Sequence, residues 1–142
     1  MKISKIKKIV ALLLCAVLMC SVLPSTGAAV VPEDSTVQPM YKYTASATTN
    51  LVISGTTAYC KAALIGYSGT TTKVSIAMTL QKKSWLTWND VETWKITTNS
   101  YQTSFSKSRT IDSGTYRVKV VYVAYSGTAS ETFTRYSGSS SC

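Results

Sequence analysis

Apolar and polar side chains alternate along most of the chain after residue 50, with the period of two that is typical of half-buried β-strands. The clearest case is residues 72–81, in which every second side chain is large and apolar: Val74, Ile76, Met78 and Leu80. Further strands are predicted at residues 51–54, 58–64, 92–98, 101–111, 115–125 and 130–136. No long window has helical spacing, so we predict an all-β fold, an antiparallel β-sandwich of about seven short strands.

One short motif separates these predicted strands. Ser-Gly-Thr begins at Ser54, Ser68, Ser113 and Ser126. Glycine adopts positive φ without strain and serine bonds its neighbouring backbone, so the motif indicates turns. Its spacing is irregular, which argues against a repeat architecture.

The first 29 residues have the pattern of a secretory signal peptide. A lysine-rich start precedes an uncharged apolar run at residues 9–23 and a short region of mostly small residues. Cleavage after Ala28 or after Ala29 satisfies the small-x-small rule. The run is shorter than the roughly 20 apolar residues of a membrane span, although an uncleaved anchor is the alternative. We therefore expect a secreted, extracellular protein that has no membrane contact after signal cleavage.

The rest of the chain divides into three parts. Residues 30–40 lack periodicity and contain two prolines, which predicts a linker. Residues 41–137 hold the predicted sandwich. Residues 138–142, rich in glycine and serine, are expected to be a flexible tail.

Charge narrows the range of partners. The chain has 15 Lys+Arg and 6 Asp+Glu; without the four leader lysines, 11 minus 6 leaves a net charge of +5. The sequence shows this charge as dispersed, which favours loose attraction to anionic wall polymers and predicts no nucleic-acid partner. Solubility alone is the alternative explanation for dispersed lysines. The oligomeric state does not follow from the sequence.

Residues 112–118, Asp-Ser-Gly-Thr-Tyr-Arg-Val, resemble the tyrosine corner of immunoglobulin domains, in which a tyrosine hydroxyl bonds the backbone a few residues upstream. Residues 57–62 likewise resemble the second strand of those domains around its cysteine, Cys60. The position two after Tyr116 is Val118 instead of the usual second cysteine. The resemblance therefore implies an immunoglobulin-like topology without the inter-sheet disulfide.

The mature chain is also similar to a family of small secreted proteins of Gram-positive bacteria, a domain of unknown function. The matching landmarks are residues 80–83, Trp88, Val91, Trp94, residues 113–118 and residues 125–127. This resemblance implies no catalytic residues.

Cys60 and Cys142 are the two cysteines outside the leader. A Cys60–Cys142 disulfide, a buried free thiol at Cys60 and intermolecular pairing through Cys142 are all open from sequence. A bridge would close a loop of about 80 residues and stabilise the fold by roughly 4–5 kcal/mol at most.

Catalytic chemistry has little support in the composition. The chain has no histidine, which removes the commonest general base and metal ligand. Asp90 and Glu92 are two residues apart, so a regular strand would place both on one face. They are the candidate pair for the alternative function, a small secreted polysaccharide or cell-wall hydrolase. No spacing of a metal, cofactor or phosphate-binding motif occurs, and we predict no cofactor, no metal and no enzyme activity.

Residues 82–88, Lys-Lys-Ser-Trp-Leu-Thr-Trp, are the first candidate binding segment. Lys82, Lys83, Trp85 and Trp88 combine positive charge with rings that stack on sugars. The alternative is that Trp88, Val91 and Trp94 cover an open end of the sandwich, because aromatic side chains bury large areas. Their spacing of three breaks strand alternation, so a bulge or turn is expected there. Trp85 is the tryptophan we expect to be exposed.

Tyr67 and Tyr125, in the two Tyr-Ser-Gly-Thr loops, are the second candidate. An immunoglobulin-like topology brings these loops to one end of the sandwich, opposite Trp85. Tyrosine, serine and glycine are also the residues of antibody binding loops, although ordinary turns with tyrosines over the core would have the same sequence. Together these features predict a secreted non-catalytic module that binds a cell-surface glycan, a wall polymer or an extracellular protein.

Overall fold

The computed structural model describes residues 40–142. The predicted signal peptide and all of the linker except Met40 lie outside these residues. Eight strands follow one another along the chain: β1 (Thr44–Ser54), β2 (Thr57–Gly66), β3 (Lys73–Ser84), β4 (Thr87–Thr98), β5 (Gln102–Thr110), β6 (Thr115–Ser126), β7 (Ala129–Tyr136) and β8 (Ser140–Ser141). None of the described residues forms a helix, so this part of the chain contains no apolar helix that could cross a membrane.

The strands form two antiparallel sheets. The first has the order β1-β2-β5, and the second has the order β4-β3-β6-β7, with β8 also paired to β6. The predicted all-β sandwich is therefore confirmed. A seven-stranded constant-type immunoglobulin domain places its fourth strand beside the fifth. Here β4 pairs with β3 in the other sheet, because a two-residue turn joins them directly.

Every second side chain of β3 and β6 points into the space between the sheets. The four apolar side chains predicted to form one face of β3 are completely buried: Val74, Ile76, Met78 and Leu80. β6 supplies five more buried side chains from alternate positions: Tyr116, Val118, Val120, Tyr122 and Ala124. The opposite sheet contributes buried residues from β2, including Cys60, Ala62 and Leu64. Small residues of the first sheet, Cys60 and Ala62, thus lie in the same core as the bulky residues of the second sheet, while Leu64 adds a large side chain from the first sheet.

The predicted tyrosine corner is present. The Tyr116 hydroxyl donates a hydrogen bond to the carbonyl oxygen of Asp112, four residues upstream, over 2.9 Å. The Tyr116 ring is almost fully buried, so this bond satisfies a hydroxyl that water cannot reach. It fixes the chain where it enters β6.

The C-terminal segment, residues 138–142, was expected to be a flexible tail, but in the structure it contains the short strand β8. β8 pairs with Thr115 and Tyr116, and the backbones of Gly114 and Cys142 exchange two hydrogen bonds of 3.2 and 3.3 Å. β7 ends at Tyr136, so the first residues of β6 would otherwise have no neighbour on that side. The last residues of the chain fill this place and satisfy the free backbone groups.

Residues 41–43 are bound to the edge of the second sheet by Glu131 on β7. The two carboxylate oxygens of Glu131 accept hydrogen bonds from the backbone N–H groups of Lys42 and Tyr43, at 2.7 and 3.0 Å. The ring of Tyr41 stacks on Phe133 with a centroid distance of 4.2 Å. These contacts attach residues 41–43 to the second sheet.

Candidate binding surfaces

Trp85 and Leu86 are the two residues of the turn between β3 and β4, and we call them the hairpin tip. The strands pair up to Ser84 and Thr87, so nothing but these two residues lies beyond the sheet. Trp85 is 95% exposed and Leu86 is 93% exposed. Single exposed leucines are common on protein surfaces, but a fully exposed tryptophan beside one is informative. The prediction that Trp85 is exposed is confirmed.

The hairpin tip differs from the other two-residue turns of the domain in the residue at its first position. Two other hairpins have two-residue turns, Gly55-Thr56 between β1 and β2 and Gly127-Thr128 between β6 and β7. In both, the first turn residue is glycine with φ near +60°. Trp85 occupies the same position with φ +52° and is the only residue other than glycine with positive φ among residues 40–142. A bulky residue in this conformation is strained.

The two lysines beside the hairpin tip have different environments. Lys83 is exposed, and its register opposite Trp88 places it on the outer face of the second sheet. Lys82 is half-buried, and its ammonium group lies 5.5 Å from the centre of the Tyr116 ring. Lys82 therefore covers one end of the core, whereas Lys83 is available to a partner together with the tip.

Trp88 does not cover an end of the sandwich. Its half-buried ring lies on the outer face of the second sheet, 4.2 Å from the guanidinium carbon of Arg117. The ring of Tyr136 lies 4.3 Å from the same carbon, so both aromatic rings contact one guanidinium group. Trp94 and Val91 instead pack against the core. The expected irregularity is a β-bulge in β4, which leaves Val91 without a partner between Asp90 and Glu92.

The bulge separates the two carboxylates that the sequence placed on one face. Glu92 lies opposite the buried Leu80 and forms an ion pair with Arg109 of the other sheet. Asp90 lies on the outer face, where its Oδ1 accepts a hydrogen bond of 2.7 Å from Gln81. The extra residue in the strand reverses the direction of one side chain relative to the other. The paired acid and base expected for the hydrolase alternative are therefore on opposite faces of the sheet.

Tyr67 and Tyr125 lie at the other end of the sandwich, as the predicted topology requires. The loops are joined by Thr72, whose backbone N–H donates to the Tyr125 carbonyl oxygen at 2.8 Å. The Tyr125 ring is partly covered by the ammonium group of Lys73, 4.2 Å from its centre. Tyr67 is 46% exposed. The two loops are adjacent, but one of the two rings already has a partner within the domain.

Both cysteine thiols outside the leader are free in the structure, so the disulfide left open by the sequence is not formed. Cys60 is buried in β2, and this burial, with a smaller contribution from the negative charge of Glu92, raises the pKa of its thiol to about 11. Cys142 is exposed, and its thiol donates to the Asp112 carbonyl oxygen at 3.3 Å. Cys60 therefore stays protonated at neutral pH and behaves as a small apolar core residue.

A shallow depression of about 350 Å³ lies on the outer face of the first sheet. Val52 and Tyr59 line it, and both side chains are about half exposed. Lys61 and two serines of β5 complete its rim. Among residues 40–142, no group of three or more acidic, cysteine or histidine side chains could hold a metal ion.

Arg117 and Tyr136 are surface residues that the sequence did not single out. Arg117 alternates with buried residues along β6, which indicates the outer face of the sheet. Its stacking depends on partners 29 residues before and 19 residues after it, at Trp88 and Tyr136. Such contacts follow from strand order and register, which local sequence patterns do not supply.

No family model and no curated protein matches this chain. Crystal structures of OgpA from Akkermansia muciniphila are similar at a low level. The wild-type enzyme is 12% identical, with a TM-score of 0.39, over 66% of this chain and 28% of OgpA. Catalytically inactive OgpA in complex with an O-glycopeptide substrate is 8% identical, with a TM-score of 0.36, over 68% and 29%. The chain spans less than a third of the length of OgpA, and a match at this level identifies neither its family nor its activity.

Proposed function

We propose that the protein is a secreted, non-catalytic module that binds a cell-surface glycan, a wall polymer or an extracellular protein through the hairpin tip. The observation that carries the proposal is Trp85, which is 95% exposed and occupies a turn position that glycine takes in the other two-residue hairpins. Lys83 adds a positive charge beside the tip.

Folding does not explain this tryptophan. Its ring buries almost nothing within the domain, and its positive φ opposes folding by roughly 1–2 kcal/mol relative to an unstrained residue. A partner that covered the ring would bury about 150–250 Å² of aromatic surface, a gross gain of about 4–6 kcal/mol. Strained backbone that presents an exposed side chain is typical of binding sites.

The non-catalytic part of the proposal is supported by the site chemistry. The whole sequence lacks histidine, and the bulge in β4 separates Asp90 from Glu92. Secretion is supported by the pattern of residues 1–29. The resemblance to small secreted Gram-positive proteins supports a bacterial cell wall as the first surface to examine.

The test is co-sedimentation of the purified protein with Gram-positive cell-wall sacculi, and a glycan array covers soluble ligands. Trp85→Ala removes the ring and should weaken binding at least tenfold, as expected for a central aromatic contact. Tyr59→Ala is the matched control, because it removes a half-exposed aromatic side chain from the opposite sheet. It should leave binding within about twofold of the unmodified protein.

The proposal fails if the Trp85→Ala protein binds as well as the unmodified protein. It also fails if Tyr59→Ala is the variant that loses binding, because the ligand would then occupy the depression on the first sheet. Sacculi stripped of their wall polymers by acid distinguish a wall polymer from peptidoglycan as the ligand. Circular dichroism and thermal melting of each variant verify that it is folded.

A further inference from the structure

Positive charge is concentrated on one face of the sandwich. Residues 40–142 contain 11 basic and 4 acidic side chains. Alternation and register place five of the basic side chains on the outer face of the second sheet: Lys73, Lys83, Lys95, Arg117 and Lys119. The outer face of the first sheet has Lys61 alone. The charge that looks dispersed in the sequence is therefore gathered by the fold into what we call the basic face, the outer face of β4-β3-β6-β7.

One carboxylate lies on the basic face, and it has a partner. Asp90 accepts a hydrogen bond from the Gln81 amide nitrogen at 2.7 Å, and the Gln81 amide oxygen accepts one from Arg117 Nε at 2.8 Å. Among residues 40–142 the single ion pair is Arg109–Glu92, and it lies between the sheets. No cation of the basic face is paired with a carboxylate among the described residues, and five cations with the one carboxylate, Asp90, leave the face a net charge of +4.

The cations follow the direction of the strands at a regular interval. Four successive outward-facing positions of β3 are residues 83, 81, 79 and 77. The first is Lys83 itself, and the next three lie in register with Arg117, Lys119 and Lys95. Because outward positions on a strand are about 7 Å apart, the four charges advance by about 7 Å each along the strand direction, over about 20 Å, while their positions shift among β3, β6 and β4. Such a band of charge fits a linear polymer with repeated anionic groups.

The contacts of Arg117 orient its guanidinium group and leave several of its N–H donors free. The rings of Trp88 and Tyr136 contact its guanidinium group at 4.2 and 4.3 Å, and its Nε is fixed by Gln81. Among residues 40–142 its two terminal nitrogens have no acceptor. A guanidinium group offers five N–H donors in a rigid plane, so four remain. Two of them can bind the oxygens of one carboxylate, sulfate or phosphate group side by side.

We propose that the basic face binds an anionic polysaccharide, with Arg117 at the centre of the site. Arg117 and its neighbouring lysines bind the anionic groups of the polymer. Exposed threonines on the same face offer hydroxyl groups to the sugar hydroxyls: Thr93, Thr132 and Thr134. This inference deepens the proposed function, on which it rests for the protein's role as a binding module, by naming a ligand class. It concerns residues outside the hairpin tip.

The experiment measures the affinity of the purified protein for dextran sulfate, polygalacturonate, uncharged dextran of matched length and duplex DNA. Lys95→Gln combined with Lys119→Gln removes two charges from the basic face. Lys61→Gln combined with Lys107→Gln removes two charges elsewhere and is the matched control. We expect the first pair to raise the Kd for an anionic polysaccharide at least tenfold and the second pair less than threefold. Binding should also weaken as salt is raised, because exposed charges are screened.

Arg117→Lys tests the guanidinium group itself, since it preserves charge and removes the planar fork. We expect it to raise the Kd at least fivefold, with the thermal melting curve recorded alongside because the stacking with Trp88 and Tyr136 is lost as well. The two lysine pairs lie outside that stack, so they test the proposal even if the Arg117 variant unfolds. Binding to dextran sulfate but not polygalacturonate would assign the site to sulfate or phosphate groups, and the converse would assign it to carboxylates.

Three results would overturn the proposal. The first is equal loss of affinity in the two lysine pairs, since binding would then follow net charge alone. The second is uncharged dextran bound as tightly as dextran sulfate. The third is duplex DNA bound more tightly than either anionic polysaccharide at equal salt. Trp85→Ala separates this inference from the tip: if sacculus binding survives Trp85→Ala but falls in the Lys95, Lys119 pair, the proposed role of the tip is wrong and the basic face stands.

Discussion

Replacing Trp85 with glycine should make the domain more stable than replacing it with alanine, which reverses the usual order of these two residues. At an exposed position with ordinary φ, glycine is the less stable choice by about 0.5–1 kcal/mol, because it loses more backbone freedom on folding. Trp85 has φ +52°, a conformation that glycine adopts without strain. Both substitutions remove the ring, so the difference between their free energies of unfolding reports the contribution of the backbone conformation alone.

The magnitude follows from three contributions. Compared with alanine, glycine removes a strain of roughly 1–2 kcal/mol. It also lowers the stability by about 0.4–1 kcal/mol, because the unfolded chain with glycine has more conformational freedom. The ring is 95% exposed, so its loss removes only about 10 Å² of buried surface, or about 0.3 kcal/mol, in either variant. We therefore expect Trp85→Gly to exceed Trp85→Ala by about 0.5–1 kcal/mol in free energy of unfolding. That difference raises Tm by about 2–8 °C in a domain of this size.

The assay is urea unfolding of each variant followed by circular dichroism, with thermal melting as a second measurement. The matched control lies in the same turn, at Leu86, which is 93% exposed and has no positive φ. Leu86→Gly should be less stable than Leu86→Ala by about 0.5–1 kcal/mol. If the glycine variant were less stable than the alanine variant at position 85 as well as at position 86, the reasoning would be refuted, because the strain assigned to Trp85 would then not exist. A Trp85→Gly protein that is more stable and no longer binds would show directly that this residue opposes folding and serves binding.

Two further predictions concern the core. Tyr116→Phe removes the hydrogen bond to the Asp112 carbonyl oxygen and should lower the free energy of unfolding by about 0.5–1.5 kcal/mol, measured by urea unfolding; an unchanged midpoint would show that the tyrosine corner contributes nothing. Alkylation at pH 8 should modify Cys142 and spare Cys60, as peptide mass spectrometry would show. The pKa of Cys60 is about 11 in the folded protein against 9.0 as its ordinary value, so the unfolded chain releases this proton first. The free energy of unfolding of the unmodified protein, compared with that of Cys60→Ala, should therefore fall by about 2–3 kcal/mol at most as pH rises from about 9 to about 11. If the two proteins showed parallel dependence of stability on pH, this prediction would be contradicted.

The alternation in β3 and β6 predicted the core correctly because burial has the same period as the strand. Each of these strands has a neighbour on both sides, so its register is fixed and its inward positions are sealed from water. The pattern in β4 is less regular because it is an edge strand with a bulge at Val91. The bulge cannot be located from the local sequence, and a regular strand without it would place Asp90 and Glu92 on one face.

The sequence does not locate the two-residue turn at the hairpin tip, because this turn has no glycine. Ser84-Trp85-Leu86 stands where the chain elsewhere uses Ser-Gly-Thr, and comparison of the three hairpins would have suggested a two-residue turn. The C-terminal strand β8 had no signal of its own. Its pairing depends on β7 ending at Tyr136, which leaves the beginning of β6 without a neighbour on that side.

The hairpin tip and the basic face differ in the forces they offer a ligand, yet they are contiguous. β3 and β4 carry both, and Lys83 and Trp88 form the last outward-facing pair before the turn. A polymer that lies along the strands on the band of cations would run directly towards Trp85. The cations attract a polyanion from a distance, but this attraction weakens as the salt concentration rises. Covering an aromatic ring is an apolar contact, which salt does not screen. Under the two proposals, the second sheet supplies electrostatic capture along its outer face and an apolar anchor at the tip of its β3–β4 hairpin. In the turn, Trp85 projects beyond the last strand pair, Ser84 and Thr87, where a polymer that follows the outer face would cover its ring.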